Sequence, residues 1–168
     1  MRYLMLRNDA QAQLLRELEA MPHFLATTFS GLTRAEAATP GPQGAFSPVE
    51  HCWHLADLER LGYGVRIEKL REELEPHLPD FDGARVARER KYRTRSLAEG
   101  IEAFRRARFA NLEALRALEP GDWLRTGSQE GVGRVALCDL PSMMAEHDAS
   151  HRSEIQEWSK AVGYRRAR

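Results

Sequence analysis

Apolar residues recur at helical spacing along nearly the whole chain, which predicts an all-helical protein. A first helix should begin near Asn8 or Asp9. Pro22 is expected to kink or restart this helix, and Gly31 is expected to end its second piece. The TPGPQGAF segment at 39–46 is rich in glycine and proline and is therefore predicted to be a loop.

Two capping boxes predict where the next long helices begin. The SPVE motif at 47–50 combines a serine cap, a proline suited to the first helical position and a glutamate that closes the box. This helix should continue to about Leu74. A second box, SLAE at 96–99, opens a helix that should stop around 120–121.

The remaining segments complete a four-helix pattern. The stretch 75–95 is expected to form a crossover with a short helix, and a last long helix should run from about Asp139–Pro141 to Gly163. Four long helices and one long crossover predict a four-helix bundle. The GVGRVAL run at 131–137 is expected to be a short extended piece at most, so strand content should be near zero. No repeat or linker interrupts the pattern, which predicts a single domain over 1–168.

Composition narrows the function classes. The 25 basic and 25 acidic residues give a formal net charge of zero, which argues against nucleic-acid binding. Two cysteines, Cys52 and Cys138, cannot build a disulfide framework, so a reducing compartment is expected. The apolar run of the N-terminal MRYLMLRNDA is too short for a signal peptide or a membrane span. We therefore expect a cytoplasmic protein without a membrane segment.

Two histidines lie one turn apart in the segment HDASHRSEIQEW at 147–158. At about 100° per residue, His151 projects roughly 40° from His147, and Leu140 and Trp158 project within about 20° of His147. Both histidines therefore lie on the apolar stripe of the last helix, and not on its solvated face.

A third histidine has a similar position on the SPVE helix. His54 is centred on an inward stripe, with Leu58 about 40° away and Leu61 and Val65 about 20° to either side. His51 lies about 60° from that centre, nearer the edge of the stripe.

Burial of several histidines favours a shared ligand. One buried histidine is usually a core residue with a satisfied hydrogen bond, but an unpaired imidazole costs roughly 1–3 kcal/mol. A metal ion bound by His54, His147 and His151 would satisfy all three, and spacing of four residues on a helix suits this. Three neutral histidines leave an open position, as in catalytic sites, and suit Zn, Ni or Fe(II).

Two acidic residues are further candidates. Glu154 projects about 20° from His147, so it could ligate the ion, orient a histidine or act as a base; a plain salt bridge is an equal alternative. Asp57 could accept a hydrogen bond from the second ring nitrogen of His54, or it could be a solvated helix charge. No other catalytic residue is identified.

Other polar residues near these motifs are not expected to take part. His51 lies off the stripe and His77 lies in a proline-rich loop, so neither should ligate the ion. The HDASH run at 147–151 differs from the HExxH of zinc proteases because Asp148 replaces the glutamate and projects about 100° from His147. A protease is therefore not expected.

The ordered set of motifs resembles the DinB/YfiT-like superfamily of metal-binding four-helix bundles. The resemblance rests on FSPVEHCWHLADLER and AEHDASHRSEIQEW, with support from FDG at 81–83 and FRRARFANLEAL at 104–115. The family's first ligand corresponds to His54 in HLAD, and its His-x3-His pair corresponds to His147 and His151.

The resemblance implies a function class. Known members include S-transferases that use bacillithiol, mycothiol or glutathione, and a mycothiol-dependent maleylpyruvate isomerase. It therefore implies a divalent-metal-dependent thiol S-transferase or related hydrolase that acts on a small electrophile. The transferase would use a low-molecular-weight thiol as cofactor. The resemblance also implies a homodimer. Cys52 projects about 160° from His54, so a protein cysteine should not be the nucleophile. Two alternatives remain open: a non-enzymatic metal or small-ligand binding protein of a stress response, and a structural ion.

Overall fold

The computed structural model describes residues 2–163, with side chains from residue 3 onward. Eight α-helices occur in this range: α1 (Arg2–Met5), α2 (Asn8–Thr28), α3 (Arg34–Ala37), α4 (Pro48–Asp57), α5 (Gly64–Glu72), α6 (Gly83–Glu89), α7 (Leu97–Arg116) and α8 (Leu140–Ala161). A π-helical segment, Leu58–Tyr63, joins α4 to α5, so that 48–72 forms one continuous helix.

The four long helices form the predicted bundle. Helix α7 packs against α4 and α2, and α8 packs against α2. Their apolar faces bury a core that includes Leu18, Leu70, Leu112 and Met144, each at most 1% exposed. Within 2–163, none of the helices combines the length and apolar character that a membrane crossing requires.

The helix beginnings agree with the capping motifs. Helix α4 begins at Pro48, and Ser47 donates to Glu50 Oε2 through both its backbone N–H, at 2.9 Å, and its hydroxyl, at 2.6 Å. The hydroxyl of Ser96 accepts from the backbone N–H of Glu99 at 3.3 Å. The long helices end slightly before their predicted ends, at Glu72, Arg116 and Ala161.

Helix α2 corrects one prediction. It begins at Asn8 as predicted, but it runs through Pro22 without a restart and ends at Thr28. Met21 and Leu25, on either side of the proline, are both 0% exposed. Burial of these neighbours in the core holds the two sides in one helix despite the hydrogen bond that proline cannot donate.

A small sheet corrects a second prediction, that of near-zero strand content. Strand β1 (His77–Leu78) pairs in parallel with β2 (Thr126–Gln129), which pairs antiparallel with β3 (Gly133–Ala136). The expected extended piece at 131–137 contains β3. The sequence of β2, TGSQ, has no apolar alternation, so pairing and the buried side chains of Leu78 and Val135 determine this sheet.

One buried guanidinium connects the four bundle helices. Arg108 of α7 is 1% exposed, and its Nη1 donates to the backbone oxygen of Leu18 on α2 at 3.0 Å. Both Nη atoms donate to the carboxylate of Asp148 on α8, at 2.7 and 2.9 Å, and Nη2 lies 2.9 Å from Glu59 Oε1 in the π-helical segment. Asn111 donates to the side chain and the backbone oxygen of Glu59 at 2.7 and 2.9 Å. One guanidinium thus faces two buried carboxylates, and burial raises the pKa of Glu59.

Replacing Arg108 by methionine should lower the free energy of unfolding by about 3–5 kcal/mol, because two buried carboxylates would lose their counter-charge. The matched control is Arg105→Met, three residues earlier on α7. Arg105 pairs with Glu102 on an exposed face, and such pairs contribute little to stability. Urea denaturation followed by circular dichroism measures both. Equal losses in the two variants would contradict the assigned role of Arg108.

Candidate metal centre

Three histidine nitrogens converge between α4 and α8. His147 Nε2 lies 3.4 Å from His54 Nε2 and 3.3 Å from His151 Nε2. One nitrogen from each of the three histidines lies within 4.8 Å of the others. Two ligands of a tetrahedral ion, each about 2.0–2.1 Å from the metal, are about 3.3–3.4 Å apart. The spacing therefore fits a divalent ion held by the three predicted residues.

Burial keeps these histidines neutral. Loss of hydration, followed by the neighbouring imidazole of His147, lowers the pKa of His54 to about 4; burial also lowers the pKa values of His147 and His151. A neutral ring presents either a hydrogen or a lone pair at Nε2, so three converging Nε2 atoms cannot all satisfy one another. A cation at this point would accept a lone pair from each ring. His147 is half-buried, and it is the most exposed of the three.

Packing holds the His54 ring in place. The Phe46 and Phe81 ring centroids lie 5.2 and 5.8 Å from that of His54. Gly83 packs against the Nδ1 edge of the His54 imidazole. A Cβ on Gly83 would lie 2.7 Å from Nδ1, closer than real Cβ atoms approach other atoms. The FDG motif at 81–83 therefore contributes an aromatic wall and a glycine that leaves room for the ring.

His51 lies closer to the centre than its helical projection indicated. It is 1% exposed, and its Nδ1 lies 2.8 Å from His151 Nδ1, on the side of the His151 ring away from Nε2. One of these nitrogens must donate to the other, and a hydrogen on His151 Nδ1 would leave the His151 Nε2 lone pair free for a metal. The other ring nitrogen, His51 Nε2, has no hydrogen-bond partner among the described residues. That His51 is not itself a ligand remains a prediction.

Glu154 lies beside the second edge of His151. Its Oε2 is 3.7 Å from His151 Nδ1 and 4.0 Å from His51 Nδ1, so these three residues form a second group of potential ligand atoms. The wider distances and the short contact between the two Nδ1 atoms favour a hydrogen-bonded pair with a nearby carboxylate. Glu154 can thus orient the histidines by its charge; ligation and general-base chemistry remain predictions.

Neither sequence-based interpretation of Asp57 is correct. Its carboxylate is 2% exposed and accepts from the Tyr92 hydroxyl at 2.6 Å, from Arg90 at 3.1 Å and from Arg60 at 3.0 Å. It is therefore not a solvated charge. It also does not bond to His54 Nδ1, which has no hydrogen-bond partner in the part of the chain that is described.

Several other polar residues lie outside the centre, as predicted. Asp148 pairs with Arg108, and His77 is exposed in β1. Cys52 and Cys138 are both 0% exposed, and burial raises the pKa of the Cys52 thiol. A buried neutral thiol is a poor nucleophile, so neither cysteine is positioned to act as one.

Loss of His51 should weaken divalent-metal binding by about 10–100-fold, because His151 would lose the partner that fixes its ring. His51→Leu tests this by calorimetric titration with Zn²⁺ in competition with a chelator. His51→Asn should keep much of the affinity, since its amide can hydrogen-bond near the position of Nδ1. His77→Leu, at an exposed site, is the control, and wild-type affinity in His51→Leu would refute the role.

Comparisons with known proteins identify the family to which the chain belongs. A family model described as the DinB superfamily matches residues 17–155. No curated protein sequence matches the chain. Among solved structures, YfiT from Bacillus subtilis, described as a probable metal-dependent hydrolase with an unusual four-helix bundle topology, shares 18% identity. Its TM-score is 0.86, over 95% of this chain and 91% of that chain, which establishes the shared fold. Because the family model spans most of the chain, the protein belongs to the DinB superfamily.

Proposed function

We propose that the protein is a divalent-metal-dependent enzyme that acts on a small electrophilic molecule, either as a hydrolase or as a transferase of a low-molecular-weight thiol. The observation that carries this proposal is that His147 Nε2 lies 3.4 Å from His54 Nε2 and 3.3 Å from His151 Nε2, the ligand spacing of a tetrahedral ion. The half-buried His147 gives this point access to solvent.

His54, His147 and His151 are the proposed ligands. Three protein ligands leave a coordination position for an exogenous molecule, which is typical of catalytic rather than structural zinc sites. A Zn, Ni or Fe(II) ion bound there would supply a Lewis acid and lower the pKa of a water molecule or a thiol.

The chain's own residues determine where the nucleophile comes from. Both cysteines are fully buried, so the protein offers no accessible thiol among its described residues. The nucleophile must then be water or a small thiol from solution, which corresponds to the two proposed reactions. Phe46 and Phe81 would exclude water from one side of the centre, and we propose that Glu154 orients His151 or accepts a proton.

The comparisons support each reaction differently. The description of YfiT as a probable metal-dependent hydrolase supports hydrolysis. The resemblance to thiol-using DinB-like proteins supports S-transfer. We also propose that the protein is a cytoplasmic homodimer with a small-molecule substrate and no nucleic-acid partner. The formal net charge of zero supports the last point.

Protein purified without a histidine tag should bind one divalent ion per chain. His54→Ala, His147→Ala and His151→Ala should each abolish this binding, because two remaining imidazoles hold an ion weakly. His23→Ala, at an exposed histidine of α2, should change nothing. Elemental analysis after dialysis measures the stoichiometry. Full occupancy with unchanged affinity in His54→Ala would show that the three-histidine centre is wrong.

The reaction type is tested with metal-loaded protein and two model substrates. A bimane electrophile is supplied with glutathione, bacillithiol or mycothiol, and an activated ester is supplied without a thiol. Conjugation that requires both thiol and metal identifies a transferase, whereas metal-dependent ester cleavage identifies a hydrolase. Metal binding without either activity would overturn the enzymatic proposal in favour of a binding protein. Protein treated with a chelator is the control.

A further inference from the structure

A cleft of about 800 Å³ lies between the 48–72 helix and α7, and Arg90 and Arg95 of the crossover also line it. None of the histidines lines it. Its floor consists of small residues: Ala56, Gly64, Ala103, Ala107 and Ala110. A cleft of this volume is in the range that holds small organic ligands. It is separate from the candidate metal centre.

The lining is rich in arginine. Four guanidinium groups line the cleft, from Arg60, Arg90, Arg95 and Arg106, against two carboxylates, those of Asp57 and Glu68. The chain as a whole has a formal net charge of zero, so this local excess of positive charge is not a consequence of composition. An excess of this kind attracts anions.

A buried carboxylate fixes two of these arginines. Asp57 accepts from one Nη of Arg60 at 3.0 Å and from one Nη of Arg90 at 3.1 Å, while the Tyr92 hydroxyl holds its other oxygen. Each guanidinium carries five N–H donors, and each gives only one nitrogen to Asp57. Asp57 therefore holds Arg60 and Arg90 in place and leaves most of their N–H donors unused. Its single negative charge also neutralises only one of the two guanidinium groups.

Arg95 is held by stacking and has free donors. Its Cζ lies 3.2 Å from the ring centroid of Trp53, whose Nε1 donates to the backbone oxygen of Ser96 at 2.9 Å. Across residues 2–163, the Arg95 guanidinium has no ion-pair or hydrogen-bond partner. A flat guanidinium on an aromatic face directs its N–H groups outward from its edges, where an oxyanion can accept two of them.

Gly64 lets the 48–72 helix and α7 approach each other closely beside the cleft. Gly64 follows the π-helical segment, and a Cβ there would lie 3.0 Å from both Asn111 Oδ1 and the backbone oxygen of Glu59. Both atoms belong to the buried network around Arg108 and cannot yield easily. Short π-helical segments occur often at functional sites, and this one contributes Arg60 to the cleft.

We propose that this cleft is a binding site for a small organic oxyanion, either a phosphate monoester or a carboxylate. Arg60, Arg90 and Arg95 bind the anionic group, and the apolar body of the ligand lies on the floor of alanine and glycine. Arg106 adds charge at the rim, where Glu102 pairs with it at 3.7 Å.

The test is a titration of the whole protein with phenyl phosphate, with benzoate and with inorganic phosphate, followed by the indole N–H signal of Trp53 in ¹⁵N-resolved NMR spectra. Binding should shift this signal saturably. Arg95→Gln should weaken binding by about tenfold or more, as expected for loss of charge-assisted hydrogen bonds. Arg95→Lys should also weaken it, because lysine keeps the charge but loses the planar fork. Arg71→Gln, an equal loss of charge outside the cleft, is the control.

The outcomes separate the ligand classes and the two sites. Tighter binding of phenyl phosphate than of benzoate identifies a phosphate ligand, and the reverse order identifies a carboxylate. Binding should persist in His54→Ala, so failure of the metal centre would leave it unaffected. The inference is wrong if Trp53 does not respond, if Arg71→Gln weakens binding as much as Arg95→Gln, or if His54→Ala abolishes the response.

Discussion

The buried ion pairs of Arg108 determine how the four bundle helices meet. The guanidinium on α7 binds the backbone of α2, the π-helical segment through Glu59 and α8 through Asp148. Removing such charges from water is costly, and their close pairing with further hydrogen bonds offsets that cost. Asp148 directly follows His147, within the helical turn that separates it from His151, so the same contact sets the axial position of both histidines relative to His54.

The two edges of the His151 ring face different sets of residues. On its Nε2 side, His151 lies 3.3 Å from His147 Nε2, a distance suited to a shared metal; on its Nδ1 side, it contacts His51 and lies near Glu154. Burial suppresses protonation at both edges. The arrangement thus has an inner group of possible ligands and an outer group that can fix their tautomers, which is the usual organisation of histidine-rich metal sites.

Signals in the local sequence made the long helices and the three central histidines predictable. Serine caps, the proline at the first helical position and apolar periodicity gave the long helices, and a helical projection placed His54, His147 and His151 together. The predictions failed where contacts between distant segments determine the structure. Strand β2 has no apolar alternation, so its pairing cannot be read from TGSQ. The contact of His51 depends on the reach of a side chain across two helices, and two of the bonds of Asp57 depend on Arg90 and Tyr92, which lie in a distant crossover.

The π-helical segment explains a further discrepancy and has a consequence for how this helix can change. A helical projection at a constant 100° per residue placed Val65 on the same inward stripe as His54. In the structure, Val65 instead lines the cleft between the 48–72 helix and α7. The wider turn at Leu58–Tyr63 acts as a phase shift of about one residue, or roughly 100° of rotation, between the two halves of the helix. Deleting one residue there would restore a regular helix and rotate Ile67 and Leu70 out of the core while leaving His54 in place. The extra residue of the segment thus lets one helix direct His54 to the centre and still turn Ile67 and Leu70 into the core.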